Sequence, residues 1–267
     1  MELIDTHCHL DSMYFRSGCE PELERARAAG VVRCIVPSLS FKNIPGVLAL
    51  VEKHAGCYAG VGIYPRYCFG WQPADIERVR QAAQHRKVVA IGEIGLDYMF
   101  NIKATRETQF AVLQAHLALA AELDLPVLLH NRDLRTYHDT LDLLKGSPLV
   151  GRKRLGLLHC FQADYDIARQ ALDLGLYLSF AGPVTYANAK KLPAVVASLP
   201  LDRILIETDA PCVPPEPYRG LKRSEPAHVV EVARAIAAIH KKSLEEIAQI
   251  TFQNTNQLFN FGNAAEP

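Results

Sequence analysis

The sequence has no excess charge of either sign: 29 Lys and Arg stand against 29 Asp and Glu, for a formal charge of zero. Proteins that grip long nucleic acid by electrostatics alone depend on surplus cations, so that class is disfavoured. Cysteine pairs are missing as well. The seven cysteines (Cys8, Cys19, Cys34, Cys57, Cys68, Cys160, Cys212) form an odd, scattered set without a Cys-x-x-Cys. That set argues against a disulfide framework and fits a reducing cytoplasm. Long apolar runs are absent. The most apolar stretch, 111–129, is interrupted by Gln114, His116, Glu122 and Asp124, and the run between Glu2 and Asp5 is far too short for a signal peptide. No internal repeat, low-complexity tract or Pro/Gly/Ser linker divides the chain. The expectation is a cytoplasmic protein with no membrane partner, one domain over residues 1–267, monomeric and without an obligate protein partner.

What is present is an alternation. Short β-type runs recur at Leu3–His7, Val32–Val36, Tyr58–Ile63, Val88–Glu93, Val127–His130, Leu155–His159, Leu176–Phe180 and Ile204–Asp209. Amphipathic segments such as Pro21–Ala29, Ile76–His85, Thr105–Asp124 and Ile167–Leu174 lie between them. Gly30, Gly56 and Gly175 stand where helix C-termini need a left-handed residue. A capping box, Ser243-x-x-Glu246, opens the last helix, and Pro226 sits in the first turn of the one before. Strands alternating with helices predict an α/β fold, a single closed (β/α)8 TIM-like barrel. An open doubly wound sheet is the alternative, but it usually carries a Gly-rich phosphate loop after strand one. Here that place holds His7-Cys8-His9.

In such a barrel the C-terminal strand ends converge on one face. Those ends carry His7 and His9, then Glu93, His130, His159 and Asp209. Four imidazoles and two carboxylates at corresponding positions make a metal site the expectation there. On the first strand, alternation puts Asp5, His7 and His9 on one face and Thr6 and Cys8 on the other. Asp5 and Glu207, one layer deeper, are expected to orient a ligand imidazole, Glu207 alternatively binding a third, weaker metal. Arg132 could clamp a phosphate or simply open the next helix. His54, His85 and His240 fall near helix C-termini, and His116, His138 and His228 on helical patterns, where structural or solvated roles are expected. Cys8 and Cys160 are read as small buried hydrophobes.

The stretches "DTHCHLD", "GEIGLDY", "PVLLHNR", "GLLHCF" and "LIETDAP", in this order and spacing, resemble the TatD family of metal-dependent hydrolases, within the amidohydrolase-like superfamily. The resemblance runs from Ile4 to the Asn254–Phe259 stretch. It implies a divalent-metal-dependent deoxyribonuclease. His7 and His9 would bind one ion together with Asp209, His130 and His159 a second, and Glu93 would bridge the two. The implied cofactors are two divalent ions (Mg, Mn or Zn), and the implied substrates are DNA or oligonucleotide ends. Glu93 and Asp209 would be the catalytic carboxylates, Asp209 taking the proton of the attacking water. The family's Gly-x-His-Pro-His loop is Gly62-Ile63-Tyr64-Pro65-Arg66 here, and its Asn-x-Pro is Ser224-Glu225-Pro226. Tyr64 and Arg66 are therefore expected on the substrate side. A metal hydrolase of a small amide, lactone or phosphoester, and an inert barrel kept as a binding module, are the competing readings.

Overall fold

Fully buried runs of Val, Ile, Leu and Ala suit strands whose faces are both covered, one by the barrel interior and one by helices, and they form parallel strands. The computed structural model describes residues 1–11, 13–99 and 101–262. Its strands are β1 (Leu3–Asp5), β2 (Val31–Pro37), β3 (Cys57–Val61), β4 (Val88–Leu96), β5 (Val127–Asn131), β6 (Gly156–Leu158), β7 (Tyr177–Phe180) and β8 (Ile204–Ile206). They pair in sequence order, each parallel to the next. The seam between β8 and β1 is closed by Thr6 N donating to Ile206 O at 3.2 Å, His9 N to Ala210 O at 2.7 Å and Asp209 N to His7 O at 2.9 Å. This is the TIM-like barrel expected from the alternation.

Every strand contributes to an inner cluster: Ile4, Ile35, Tyr58, Val89 with Ala90, Leu128, Leu157, Tyr177 and Leu205, joined by Leu258, Phe259 and Phe261 of the C-terminal segment. A larger outer cluster packs the strands against α1 (Glu20–Ala28), α2 (Ile44–Lys53), α3 (Ile76–Ala83), α4 (Arg106–Leu123), α5 (Leu134–Lys145), α6 (Tyr165–Leu174), α7 (Leu192–Ala197), α8 (Val229–His240) and α9 (Leu244–Leu258). Among the described residues no helix is long and apolar enough to cross a membrane. The N-caps Thr105, Asp133 and Asp164 accept main-chain N–H groups of the first turns of α4, α5 and α6. They anchor the loops that leave the C-terminal rim after β4, β5 and β6. The Ser243/Glu246 capping box opens α9 as expected.

Four strands end earlier than their sequence pattern, β3 at Val61 and three others just before a donor. β1, β6 and β8 stop before His7, His159 and Asp209, and the chain bends at Thr6 and takes positive φ at Cys160 (44°) and Asp209 (50°). At these three ends the donors reach the barrel axis from a backbone that has left strand geometry, whereas Glu93 and His130 reach it from within β4 and β5. Gly56 also differs from expectation. α2 ends through the extended His54, and Gly56 is needed instead for close approach, since a Cβ there would lie 2.6 Å from Val32 O. Gly30 and Gly175 do take positive φ, at 89° and 96°.

The β4–β5 contact depends on Gly95, whose φ is 143° and whose added Cβ would sit 2.0 Å from His130 O. Gly95→Ala is expected to cost about 3 kcal/mol through overpacking against main chain. Gly46, exposed in α2 with nothing near its added Cβ, should gain about 0.5–1 kcal/mol as Ala. Denaturant midpoints of the two variants test this, and equal effects would show that the β4–β5 approach is not sterically limited.

Candidate metal centre

β4 delivers Glu93 to the barrel axis, 2% exposed and facing four imidazoles. Each of its oxygens meets a different set. Oε2 lies 3.3 Å from His7 Nε2 and 3.5 Å from His9 Nε2, which are 3.3 Å from each other. Asp209 Oδ1 completes that group at 3.8 and 3.7 Å from the same two nitrogens. Oε1 lies 3.0 Å from His130 Nδ1 and 3.2 Å from His159 Nε2, themselves 3.0 Å apart. The six strand-end residues are thus brought together into two donor clusters that share one carboxylate.

The donor set fits divalent cations. Donors arranged tetrahedrally about zinc at about 2.0–2.2 Å stand roughly 3.3–3.6 Å apart, close to the spacings of the His7/His9 cluster. Glu93 Oε2 and His7 Nδ1 are buried with no hydrogen-bond partner among the described residues. An anionic oxygen so placed has only a cation or a proton to satisfy it. Among the described residues three groups of His, Asp and Glu could each hold an ion: His7/His9/Glu93, Glu93/His130/His159 and His7/His159/Asp209.

The supporting partners differ from expectation in one respect. Glu207 Oε1 accepts from Cys160 N at 2.7 Å and lies 3.2 Å from His159 Nδ1, behind that ligand candidate. Asp5 touches no imidazole. Its carboxylate accepts Thr208 N at 2.9 Å, Thr208 Oγ1 at 2.5 Å and His7 N at 3.3 Å. The bend at Thr6 breaks the alternation, so Asp5 sides with Thr208 while Thr6 Oγ1 turns to Ser179 Oγ at 2.9 Å. Asp5 therefore shapes the backbone of the β1–β8 seam. Cys8 is buried as expected, whereas Cys160 is half-buried.

A cleft of about 340 Å³ opens onto the cluster, walled by Tyr14, Tyr64, Arg66, Tyr67, Met99 and Arg132 among others. Arg66 is exposed on it and makes no ion pair with a described residue; Arg132, about half exposed, lies 3.4 Å from Asp97 Oδ2 through Nε. Tyr64 is not free on the substrate side: its hydroxyl donates to Asp97 Oδ2 at 3.0 Å. Asp97 was missed by reading strand ends alone. Its signal was parity, since 93, 95 and 97 alternate onto one face of β4 and its continuation. A larger groove of about 550 Å³ adjoins the cleft and shares Asp97 and Met99 with it.

The electrostatics follow from crowding charges where water is scarce. Burial would push Glu93 up, but His159 and His7 and the bonds from His130 and His159 hold it well below the carboxylate range. Burial works against the His159 cation, yet Glu93 and Glu207 hold that imidazole well above its usual value. His9 is driven down to about 3 by burial and by His7. Asp209 is pushed up to about 8 by burial, with Glu93, Glu207 and Asp5 adding to it against His159. Asp5 rises to about 7, burial outweighing its Thr208 bonds.

Comparison with known proteins agrees with this chemistry. The profile of the family described as "TatD related DNase" matches residues 4–260. The chain is 40% identical over 259 residues to YabD, a metal-dependent hydrolase of Bacillus subtilis (strain 168), covering 96% of this chain and 98% of that one. The crystal structure of YjjV, a TatD homologue of Escherichia coli K12, superposes with a TM-score of 0.88 at 36% identity, covering 97% of this chain and 98% of that one. The lactonase Lmo2620 of Listeria monocytogenes, at 12% identity and a TM-score of 0.70 over 98% of this chain and 95% of that one, shares the fold.

The pH dependence of the metal-stripped protein tests the crowding. Asp209 has a folded value near 8 against an ordinary 3.8, so the folded state keeps a proton that the unfolded chain has lost, and stability falls as pH rises toward 8. Asp5, near 7, and the raised His159 act with the same sign. His7 and His9 act oppositely, but their contribution is complete once unfolded imidazoles deprotonate past 6.5. The melting temperature of chelated protein should therefore fall between about pH 7 and 8.5, and saturating Zn²⁺ or Mn²⁺ should flatten the profile. A flat or rising profile without metal would mean that the buried carboxylates are not under strain.

Proposed function

The chain belongs to the TatD related DNase family and is a metal-dependent hydrolase, and from that premise we propose that it cleaves phosphodiester bonds at DNA or oligonucleotide ends. The observation that carries the reading is the division of Glu93, one oxygen toward His7 and His9 and the other toward His130 and His159. A carboxylate so divided suits two cations at the short separation used for phosphodiester hydrolysis. His7, His9 and Asp209 would hold one, His130 and His159 the other, with Glu93 common to both. When bound, such ions supply Lewis acidity toward a phosphoryl oxygen and lower the pKa of water toward about 7.

The chain's own residues supply the rest. Asp209, its side chain 15% exposed, opens toward the cleft and is the group placed to take the proton from an attacking water. Arg66 and Arg132 offer cationic walls for phosphate, and Tyr14 and Tyr67 offer aromatic faces on which a base could stack. Two dications offset by Glu93 and Asp209 leave a positive site inside a neutral protein, so phosphate is attracted locally. A cleft of about 340 Å³ holds roughly one nucleotide, which favours a chain end over a duplex track.

Labelled single-stranded DNA should be degraded from an end after chelation and re-addition of Mg²⁺, Mn²⁺, Zn²⁺ or Co²⁺, and faster than a panel of small lactones, amides and phosphoesters. The opposite ranking would move the substrate out of nucleic acid. Asp209→Asn should keep the fold and at least one ion but lose about 100-fold or more in kcat. Turnover within a few-fold of wild type would remove Asp209 as proton acceptor.

Arg66→Ala should raise KM for the oligonucleotide with metal content unchanged, and lower the salt dependence by about one counterion. Unchanged KM and salt slope would make Arg66 a solvated loop residue, and lost metal would place it behind the ligands.

A further inference from the structure

Asp97 follows the last residue of β4 and is 1% exposed. Gln109 of α4 clamps its backbone from both sides, accepting Asp97 N on Oε1 at 2.9 Å and donating from Nε2 to Asp97 O at 2.9 Å. Asp97 Oδ1 accepts Met99 N at 3.0 Å. The carboxylate is thereby held with Oδ2 facing Tyr64 Oη at 3.0 Å, Arg132 Nε at 3.4 Å and His130 Nε2 at 3.6 Å.

The orientation of His130 gives this arrangement its meaning. Nδ1 faces Glu93 and His159, so Nε2 is the outward nitrogen, 3.3 Å from the Tyr64 hydroxyl. An imidazole that presents the Nδ1 lone pair to a cation carries its proton on Nε2. At 3.6 Å Asp97 is too far for a direct bond from that proton. The Tyr64 oxygen can accept it while donating its own hydrogen to Asp97 Oδ2. A carboxylate behind a ligand imidazole fixes the ring and raises its basicity, which is the place Glu207 takes behind His159 at 3.2 Å. The same Asp97 oxygen engages Arg132 through Nε, and the guanidinium, which also bonds Tyr64, lines the cleft where an anion would sit.

We propose that Asp97, acting through Tyr64, is a positioning residue that presents His130 Nδ1 to the second cation and holds Arg132 for substrate phosphate, so that one carboxylate aligns metal and phosphate. This rests on the two-cation phosphodiesterase reading. It gives Tyr64 a different place from a substrate contact: the phenol is the link between the carboxylate and the ligand.

The test is a calorimetric Zn²⁺ titration of chelated full-length wild type, His130→Ala, Asp97→Asn and Tyr64→Phe, with melting of the chelated proteins to verify folding. His130→Ala identifies the binding event that depends on His130. That event should weaken about 10- to 100-fold in Asp97→Asn and several-fold in Tyr64→Phe, the other event staying within twofold. The identified event left within twofold in both Asp97→Asn and Tyr64→Phe overturns the proposal. If His130→Ala loses no event, the two-cation reading fails and the proposal falls with it. For the phosphate half, Asp97→Asn and Arg132→Ala should each raise KM for a dinucleotide phosphodiester several-fold, and the double variant no further than the larger single change. Independent, multiplying effects would separate Asp97 from Arg132.

Discussion

The centre depends on one buried carboxylate that cannot be satisfied by the protein alone. Glu93 Oε2 has no hydrogen-bond donor among the described residues, and the nitrogens facing both oxygens are packed about 3 Å from each other. Between His7 and His9 a protonated ring would supply the missing donor, but burial disfavours the cation on both. Cations resolve the conflict at once, because every inward lone pair then has a common partner. The barrel supplies the framework for this conflict, with main-chain bonds such as Asp209 N to His7 O and a glycine at 95 that lets β4 and β5 approach.

That framework explains why β1, β6 and β8 stop short of the donors they lead to, whereas Glu93 and His130 lie within β4 and β5. A strand directs side chains alternately to two faces, whereas these donors must all reach one axis. Positive φ at Cys160 and Asp209 and the bend at Thr6 turn them inward. A non-glycine residue in the left-handed region costs of order 1–3 kcal/mol, and Asp is among the residues that tolerate it best. The well-packed inner and outer clusters offset that local cost. Capped helices α4, α5 and α6 hold the loops from which Asp97 and Arg132 project.

The barrel and the six strand-end donors were legible because both depend on one-dimensional signals: apolar runs at regular spacing, and polar residues where each run ends. What stayed illegible had a local cause in each case. Asp5 was misplaced because alternation was carried across Thr6, and a bend there is not written in the residue types. Gly56 was read as a helix stop, although its small size serves the approach of Val32 O. Asp97 lay inside a motif quoted for Glu93, but its role depends on Gln109 and Tyr64, which come from other elements.

Tyr64 shows how a substitution can move a residue from one role to another without disturbing the fold. At this position a histidine could point into the cleft, but a phenol is longer and weakly acidic, and here it reaches Asp97 instead. Its apolar ring also packs edge-on against His130, with centroids 4.7 Å apart. The cleft thereby has a fixed aromatic wall beside Arg66 and Tyr67. Positive character in the cleft then comes from Arg66 and Arg132, and from whatever cations the centre holds. A neutral chain can in this way keep a permanently anion-attracting site, because the field that matters is set within a few ångströms of Glu93 and not by the sum over the surface.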